Sequence, residues 1–253
     1  MRVDEATLFA FLLVFVRCSA MLLASPIFGG PTTPPHVRVF TCVCIAGALT
    51  AVLQPQIGPI ATSIPALALA VIGEALAGIL IGGLISLVLQ ATQMAGAMLD
   101  LHVGLSMSQT LNPISGVSVT VISQFKYMLG VVIFLSANAH HLMLQALVDS
   151  YNHAPALTST LPALQTGVVS FLGAMSLLAV QIAAPVTAVS LIVDAALGLI
   201  AKAVPQMQAI QVGIPAKIAL GMGALSLSLP PLVAAVTGGC DQAAKLVHHI
   251  FNG

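Results

Sequence analysis

Charged side chains are scarce in this sequence. Asp, Glu, Lys and Arg make up 6% of the 253 residues, whereas apolar residues make up 58%. Soluble domains carry roughly 25% charged residues, so this composition excludes an ordinary soluble fold. We therefore expect a chain that lies in a membrane or in a membrane-embedded assembly, with little length left for a soluble domain.

The sequence also lacks the signatures of several function classes. It has no run of Lys and Arg, and its formal net charge is +0, so nothing indicates binding to nucleic acid. The cysteines show no CxxC spacing, and a helix would point the adjacent His140 and His141 about 100° apart. No HExxH, GxSxG or GxxxxGK[ST] motif is present. We predict no catalytic residues, no cofactor and no metal, and hence a protein that is not an enzyme.

Long apolar runs are what the sequence has instead. They predict an all-α, polytopic membrane-type protein built of kinked helical hairpins. The second run is short for a span, and the fifth is too long for one straight span, with Pro185 predicting a kink. Residues 138–162 and 204–215 are read as connectors, and residues 241–251 as a short amphipathic helix. The predicted membrane helices cover residues 6–24, 39–53, 67–89, 117–137, 168–200 and 218–237.

Four charged residues lie inside these apolar runs or at their edges. Each costs roughly 2.5–3.5 kcal/mol at the centre of a bilayer unless it is paired, reaches the surface or faces water. Two acids and two bases permit neutral pairing within the chain. A proton or ion relay and contacts with partner subunits are the alternatives, and we predict a role in assembly. The four residues are Arg17, Glu74, Lys126 and Asp194.

Two further patterns predict helix surfaces with a specific role. Gln90, Gln93 and Asp100 share one face of a helix, which lines a wet cavity or lies at the membrane interface. Gly78 and Gly82 form a GxxxG pattern, which lets helices approach closely in lipid. That approach is either packing within the chain or contact with another subunit.

The segment 104–116 is flexible, polar and uncharged. Its Asn112-Pro113 pair favours a turn. Non-helical backbone at membrane depth is tolerated only inside protein or against a water-filled cavity. The segment is therefore a functional loop or a plain connector. It consists of Gly104, Leu105, Ser106, Met107, Ser108, Gln109, Thr110, Leu111, Asn112, Pro113, Ile114, Ser115 and Gly116.

A second polar break follows the fifth apolar run, at residues 204–215. Its prolines argue against a continuous helix, and Gly213 loosens the chain. Lys202 and Lys217 flank the break and predict a cytoplasmic position. It is either a simple hairpin turn or a contact surface. The residues of this predicted hairpin tip are Pro205, Gln206, Met207, Gln208, Gln211, Gly213 and Pro215.

Several segments taken together resemble the FliR/SctT family of type III secretion export-gate subunits, which includes SpaR and YscT. The resemblance is greatest to the flagellar branch, and the order and spacing of its motifs cover nearly the whole chain. Asn112 stands where the family often has Asp, and Lys202 stands where it usually has Arg. The motifs are Pro26-Ile-Phe-Gly-Gly-Pro31 with Pro35-His-Val-Arg38, Gly73-Glu74 with Gly78, the segment 104–116, Ala139-His-His-Leu-Met143 leading into Ala146-Leu-Val-Asp-Ser150, Pro185 through Asp194, Val204-Pro-Gln-Met207 and Val212-Gly-Ile-Pro-Ala-Lys217.

This resemblance implies a structural role. The family implies a channel-forming subunit of the flagellar or type III protein export gate, which passes unfolded substrates across the bacterial inner membrane. Residues 1–167 would be a FliP-like part whose luminal loop, 104–116, plugs the channel. Residues 168–253 would be a FliQ-like helical hairpin with a short C-terminal helix.

The resemblance also implies partners and a location. The partners would be FliP-like and FliQ-like subunits and, at the hairpin tip, an FlhB-like switch protein. The location would be the flagellar basal body. In this family the assembly is lifted out of the membrane plane, so predicted spans need not cross the bilayer.

Two other functions are carried as alternatives. One is an export-gate subunit of an injectisome. The other is a proton- or ion-coupled secondary transporter that uses Glu74 and Asp194. Transporters of that kind show inverted repeats with paired broken helices, and no such symmetry is visible in the sequence.

Overall fold

The computed structural model describes residues 5–30, 33–53, 63–105, 120–153, 161–203 and 209–252. These residues form helices and turns, with no β-strand among them, so the all-α prediction is confirmed. A 3-10 turn, Ser226–Ser228, joins the last two helices. The helices are α1 Glu5–Ala24, α2 Pro35–Leu53, α3 Ile64–Val103, α4 Val121–Ser136, α5 Ala139–His153, α6 Leu161–Ala203, α7 Ala209–Leu225 and α8 Leu229–Asn252.

The described residues contain five helical segments long and apolar enough to cross a membrane. A sixth is added if α4 and the first part of α5 are counted as one broken span. The polytopic architecture expected from the apolar runs is therefore confirmed. The five segments are Thr7–Ala24, Pro35–Val52, Ile64–Val103, Leu164–Ala203 and Pro215–Phe251.

Helices α2, α3 and α6 are all longer than the apolar runs predicted. Helix α2 has 19 residues because it begins at Pro35, where a proline suits the first helical position. The amide of Arg38 donates to the Pro34 carbonyl at 3.2 Å and closes the first turn. Helix α3 continues through its polar residues to Val103 and stops at Gly104, whose φ of 89° favours glycine. Polarity alone did not end this helix, since polar side chains leave the backbone bonds intact.

The prediction of a connector over residues 138–162 is wrong for Ala139–His153, which form α5. A turn at Asn138, with φ of 55°, separates this helix from α4. Met143, Leu147 and Tyr151 recur every four residues along α5 and are all buried. That spacing is a helical one, and a mean hydropathy lower than that of the neighbouring helices concealed it.

Three boundaries near the C-terminus also differ from prediction. Helix α7 begins at Ala209 and contains Pro215, so the predicted break at 209–215 is wrong. Helix α6 contains Pro185, at which the sequence predicted a kink within one helix and not its end. Membrane helices tolerate proline where neighbouring groups satisfy the freed carbonyl. The predicted helix 218–237 is divided by Ser226–Ser228, and the predicted short helix 241–251 is the end of α8.

The chain divides into two compact units, each assembled from separate stretches of sequence. Unit 1 comprises Met1–Leu87, Phe134–Leu172 and Gly239–Gly253. Unit 2 comprises Val88–Ile133 and Gly173–Gly238. In unit 1, α1 packs against α2 and buries Val14, Cys18 and Met21.

Unit 2 has an apolar core of its own. It joins the end of α3, the start of α4, the second half of α6 and the end of α7. Buried residues from all four helices are in contact there, so helices from distant parts of the sequence share one interior. The cluster consists of Leu99, Val103, Ile122, Ala183, Val186 and Ala224.

The GxxxG pattern of α3 packs against α1 within unit 1. A Cβ atom at Gly78 would overlap the carbonyl oxygen of Arg17, and one at Gly82 would overlap that of Met21. Ala20 and Ala24 of α1 lie beside the same two glycines. Of the two interpretations left open by the sequence, packing within the chain is the one observed.

We expect Gly82→Ala to destabilise the protein by about 1–3 kcal/mol, because the new methyl group meets fixed backbone rather than a mobile side chain. The thermal unfolding midpoint of the detergent-purified protein complex measures this effect. Gly83→Ala is the matched control, since a Cβ at Gly83 meets no atom within 4 Å. Equal midpoints for the two variants would contradict the close approach of α1 and α3.

Candidate functional site

Four side chains of unit 1 form a buried polar network, which we call the Arg17 network: Arg17, Glu74, Ser150 and Tyr151. The Nε of Arg17 donates to Oε2 of Glu74 at 2.5 Å. Its Nη1 donates to the Ser150 hydroxyl at 2.8 Å. Two of the charges predicted from the apolar runs therefore pair with each other, which is the neutral pairing that the sequence permitted.

Tyr151 completes the network from two sides. Its hydroxyl donates to Oε2 of Glu74 at 3.1 Å, and its ring lies 3.8 Å from the Cζ of Arg17. All four residues are buried. Hydrogen bonds and a cation–π contact thus compensate for the removal of both charges from water.

Sequence reasoning missed the two members of the network that α5 supplies. Ser150 and Tyr151 lay within the predicted connector, so no helix was expected to bring them to Arg17. The signal that was available is the four-residue recurrence that ends at Tyr151. A tyrosine on such a buried face requires a hydrogen-bond partner for its hydroxyl.

In unit 2, Asp100 caps the first turn of α4. Its two carboxylate oxygens accept from the amides of Ile122 at 3.2 Å and Ser123 at 2.9 Å. Asp100 is buried, so the prediction that it lines a wet cavity or lies at the membrane interface is wrong. A helix N-terminus attracts a carboxylate because its first amides lack partners and its dipole is positive there.

Lys126 is buried in unit 2 and binds a hydroxyl rather than a carboxylate. Its Nζ donates to the Ser228 hydroxyl at 2.8 Å, and that hydroxyl donates to the Leu225 carbonyl at 2.7 Å. Among the residues that the structure describes, no carboxylate forms an ion pair with Lys126. This lysine therefore ties α4 to the 3-10 turn between α7 and α8.

Asp194 of α6 pairs with Lys217 of α7. The two side chains are 45% and 23% exposed, so this pair is far less buried than the Arg17 network. Leu197 lies against Gly213, one turn later on α6 and one turn earlier on α7. The contacting positions therefore advance along α6 while they move back along α7, so the two helices run antiparallel.

The remaining predicted site residues are described only in part. Of the loop 104–116, the structure describes Gly104 and Leu105, and residues 106–116 lie outside the described residues. Of the hairpin tip, Pro205, Gln206, Met207 and Gln208 also lie outside them. Gln211, Gly213 and Pro215 fall within α7. Over the described residues, no three His, Cys, Asp or Glu side chains come together as metal ligands.

The family model described as bacterial export proteins, family 1, matches residues 8–243. The chain belongs to this family. Members of this family are subunits of an export apparatus, and the matched range includes unit 2, most of unit 1 and all of the polar contacts described above. The FliR/SctT membership inferred from the sequence motifs is confirmed.

Individual relatives agree with the family match. The chain is 34% identical over 224 residues to the flagellar biosynthetic protein FliR of Caulobacter vibrioides, covering 86% of this chain and 87% of that protein. It is 32% identical over 217 residues to FliR of Bacillus subtilis, covering 83% and 82%. It is 25% identical over 209 residues to the surface presentation of antigens protein SpaR of Shigella sonnei, covering 83% and 80%.

Family membership and the apolar helices together assign the location. The chain is a multi-pass protein of the bacterial inner membrane and a component of an export apparatus. The location predicted from the sequence is thereby confirmed.

We expect Glu74→Gln to destabilise the protein strongly, because it leaves the buried Arg17 without its counter-ion. Breaking such a pair costs roughly 3–5 kcal/mol, whereas replacing both partners by apolar residues is often neutral. The double variant Arg17→Met/Glu74→Leu should therefore recover part of the loss. Yield and thermal midpoint of the purified complex measure both effects.

Lys217→Met is the control for this prediction, since it breaks the exposed pair with Asp194. Exposed ion pairs contribute about 1 kcal/mol or less. An effect of Glu74→Gln no larger than that of Lys217→Met would show that the Arg17 network does not stabilise unit 1.

Proposed function

We propose that this chain is a structural, channel-forming subunit of the flagellar type III protein export gate, through which unfolded substrates cross the inner membrane. The observation that carries the proposal is the match over residues 8–243, together with relatives named flagellar biosynthetic protein FliR. The SpaR relative has lower identity, 25% against 34%, which favours the flagellar system over an injectisome.

The apolar surfaces of the helices support a role in a hetero-oligomer. Within Pro35–Val52 only 17% of the residues are buried. Phe40 and Val52 are 70% and 68% exposed. Such surfaces are stable against lipid or against other helices, and small residues let further helices pack closely. FliP-like and FliQ-like subunits are the proposed partners.

The two candidate coupling carboxylates support a structural role rather than ion transport. Glu74 is paired with Arg17, and Asp194 is paired with Lys217. A carboxylate that carries protons must exchange them during each cycle, whereas each of these two acids is held by a basic side chain. Each acid is paired within its own unit, which favours a structural role over ion transport.

The antiparallel arrangement of α6 and α7 supports the proposed division of the chain. Residues 1–167 would be the FliP-like part, and residues 168–253 the FliQ-like hairpin. The pairs Asp194–Lys217 and Leu197–Gly213 join the end of α6 to the start of α7.

Deleting residues 105–115 should raise the leak of ions across the inner membrane, because the loop is proposed to plug the resting channel. Leak is measured with a membrane-potential dye in cells that express the whole export apparatus. The amount of FliP-like and FliQ-like subunits that copurify with the variant shows whether the complex still assembles. An unchanged leak at normal complex yield would assign the segment to a plain connector.

Cysteines at Gln206 and Gln208 should crosslink to the FlhB-like switch protein, because the hairpin tip is proposed to face the cytoplasm at the channel entrance. Lys202 and Lys217 flank this segment, as expected on the cytoplasmic side. Crosslinked products are identified by mass spectrometry of the purified complex. A cysteine at Leu220, which is exposed on α7, is the control for unspecific crosslinking. Labelling of the tip only from the periplasm would reject both its orientation and its role.

A further inference from the structure

The last turn of α3 is in contact with three other helices of unit 2. From α6, the Ser190 hydroxyl donates to the carbonyl of His102 at 2.8 Å. From α7, Gly221 lies against Val103 so closely that a Cβ atom at Gly221 would overlap the valine side chain. From α4, two amides of the first turn donate to the Asp100 carboxylate. One turn of α3 is therefore the place where four helices are joined.

The hydrogen bond from Ser190 goes to a carbonyl that α3 cannot satisfy by itself. The last four carbonyls of a helix have no amide of that helix to accept, and α3 ends at Val103, so the carbonyl of His102 is one of the four. A buried hydroxyl in a helix often bonds a carbonyl one turn back in its own helix, as Thr50 does with Ala46 at 2.6 Å. Ser190 bonds a different helix, 88 residues away in the chain, and so fixes the position of α3 along α6.

Apolar contacts hold the same turn. Val103 is fully buried and belongs to the cluster that includes Val186 of α6 and Ala224 of α7. Val186 lies one turn before Ser190, and Ala224 lies about one turn after Gly221, so polar and apolar contacts share one face of each helix. Valine is stiff at its first side-chain torsion, which leaves little freedom for α3 to slide along α7.

We propose that Ser190, Val103 and Gly221 are positioning residues that keep the last turn of α3 in one place while substrates pass. The predicted loop begins at Gly104, directly after this turn, so the turn determines where that segment leaves the packed helices. Buried contacts with three helices favour a part of the channel that keeps its structure during export. This inference rests on the proposed function.

A disulfide between α3 and α7 tests whether the turn stays in place. The Cβ of Val103 lies 3.3 Å from the position that a Cβ would take at Gly221, and disulfides span about 3.5–4.5 Å between Cβ atoms. We expect Val103→Cys/Gly221→Cys to form the disulfide on mild oxidation of the complete export complex, measured as loss of free thiols. Export by this variant should proceed at the same rate before and after oxidation. Cys44, the exposed native cysteine, is replaced by serine throughout.

The single variant Val103→Cys on the same background is the control for effects of the oxidant itself. A several-fold loss of export on oxidation of the double variant, restored by a reductant, would show that α3 moves along α7 during export and would overturn the proposal. Failure of the two cysteines to form a disulfide would contradict the contact on which it is built.

Removal of the Ser190 hydroxyl tests the positioning role separately. Ser190→Ala should raise the resting leak of ions several-fold, because the last turn of α3 loses its bond to α6. Ser190→Thr, which retains a hydroxyl, should raise it less. Thr50→Val is the matched control, since Thr50 is equally buried but bonds its own helix, and its leak should stay at the parental value. A merely structural role predicts lower thermal midpoints in Ser190→Ala and Thr50→Val with no leak in either, and that result would overturn the proposal.

Failure of the proposed function is a different result. In that case export would continue after the whole chain is deleted, whereas the disulfide between α3 and α7 would still form in the purified protein.

Discussion

The buried ion pair between Arg17 and Glu74 is the interaction on which unit 1 depends. It joins α1 to α3, and Ser150 and Tyr151 extend it to α5. A charge in an apolar interior is tolerated only with a partner in place, so the pair restricts the three helices to one relative position. The close contact of α3 with α1 at Gly78 lies in the same interface. Gly78 lies one helical turn after Glu74 and packs against the backbone of Arg17 itself, which brings the two charged side chains within reach.

Unit 2 follows the same rule with different chemistry. Its buried carboxylate binds backbone amides, and its buried lysine binds a hydroxyl. Ser190 likewise donates to the carbonyl of His102 at 2.8 Å. The buried charged groups are thus bonded inside each unit, and large apolar side chains remain on the surface. This is the reverse of a soluble protein and suits a chain that is covered by lipid and by other subunits.

The paired helices α6 and α7 show how a proline-rich chain still builds a regular hairpin. Pro185 and Pro215 each remove one backbone donor, yet both lie inside helices. The two helices are in contact through an ion pair, a leucine beside a glycine, and the apolar cluster that includes Val186 and Ala224. A proline in this sequence therefore predicts the end of a helix less reliably than a proline in a soluble protein does.

The sequence by itself determined the class of the protein, most of its helices and its family. Length and apolarity of a run are local properties, and they suffice to predict a membrane helix. The ordered motifs from Pro26 to Lys217 suffice to recognise the family. Helix α5 was missed because its pattern is weaker, and the ends of α2, α3 and α8 were missed because caps and turns decide them.

Only the tertiary structure decided which polar groups meet. Arg17 is 57 residues from Glu74 and 133 from Ser150, and no periodicity in a sequence encodes such a pairing. The sequence showed four charged residues inside or at the edges of apolar runs, two acids and two bases that could pair with each other. The fold paired two of them, gave Asp194 to Lys217 and Lys126 to Ser228, and placed Asp100 on a helix end. The partner of a buried charge depends on how the helices pack, because only the groups that packing brings within bonding distance can pair with it.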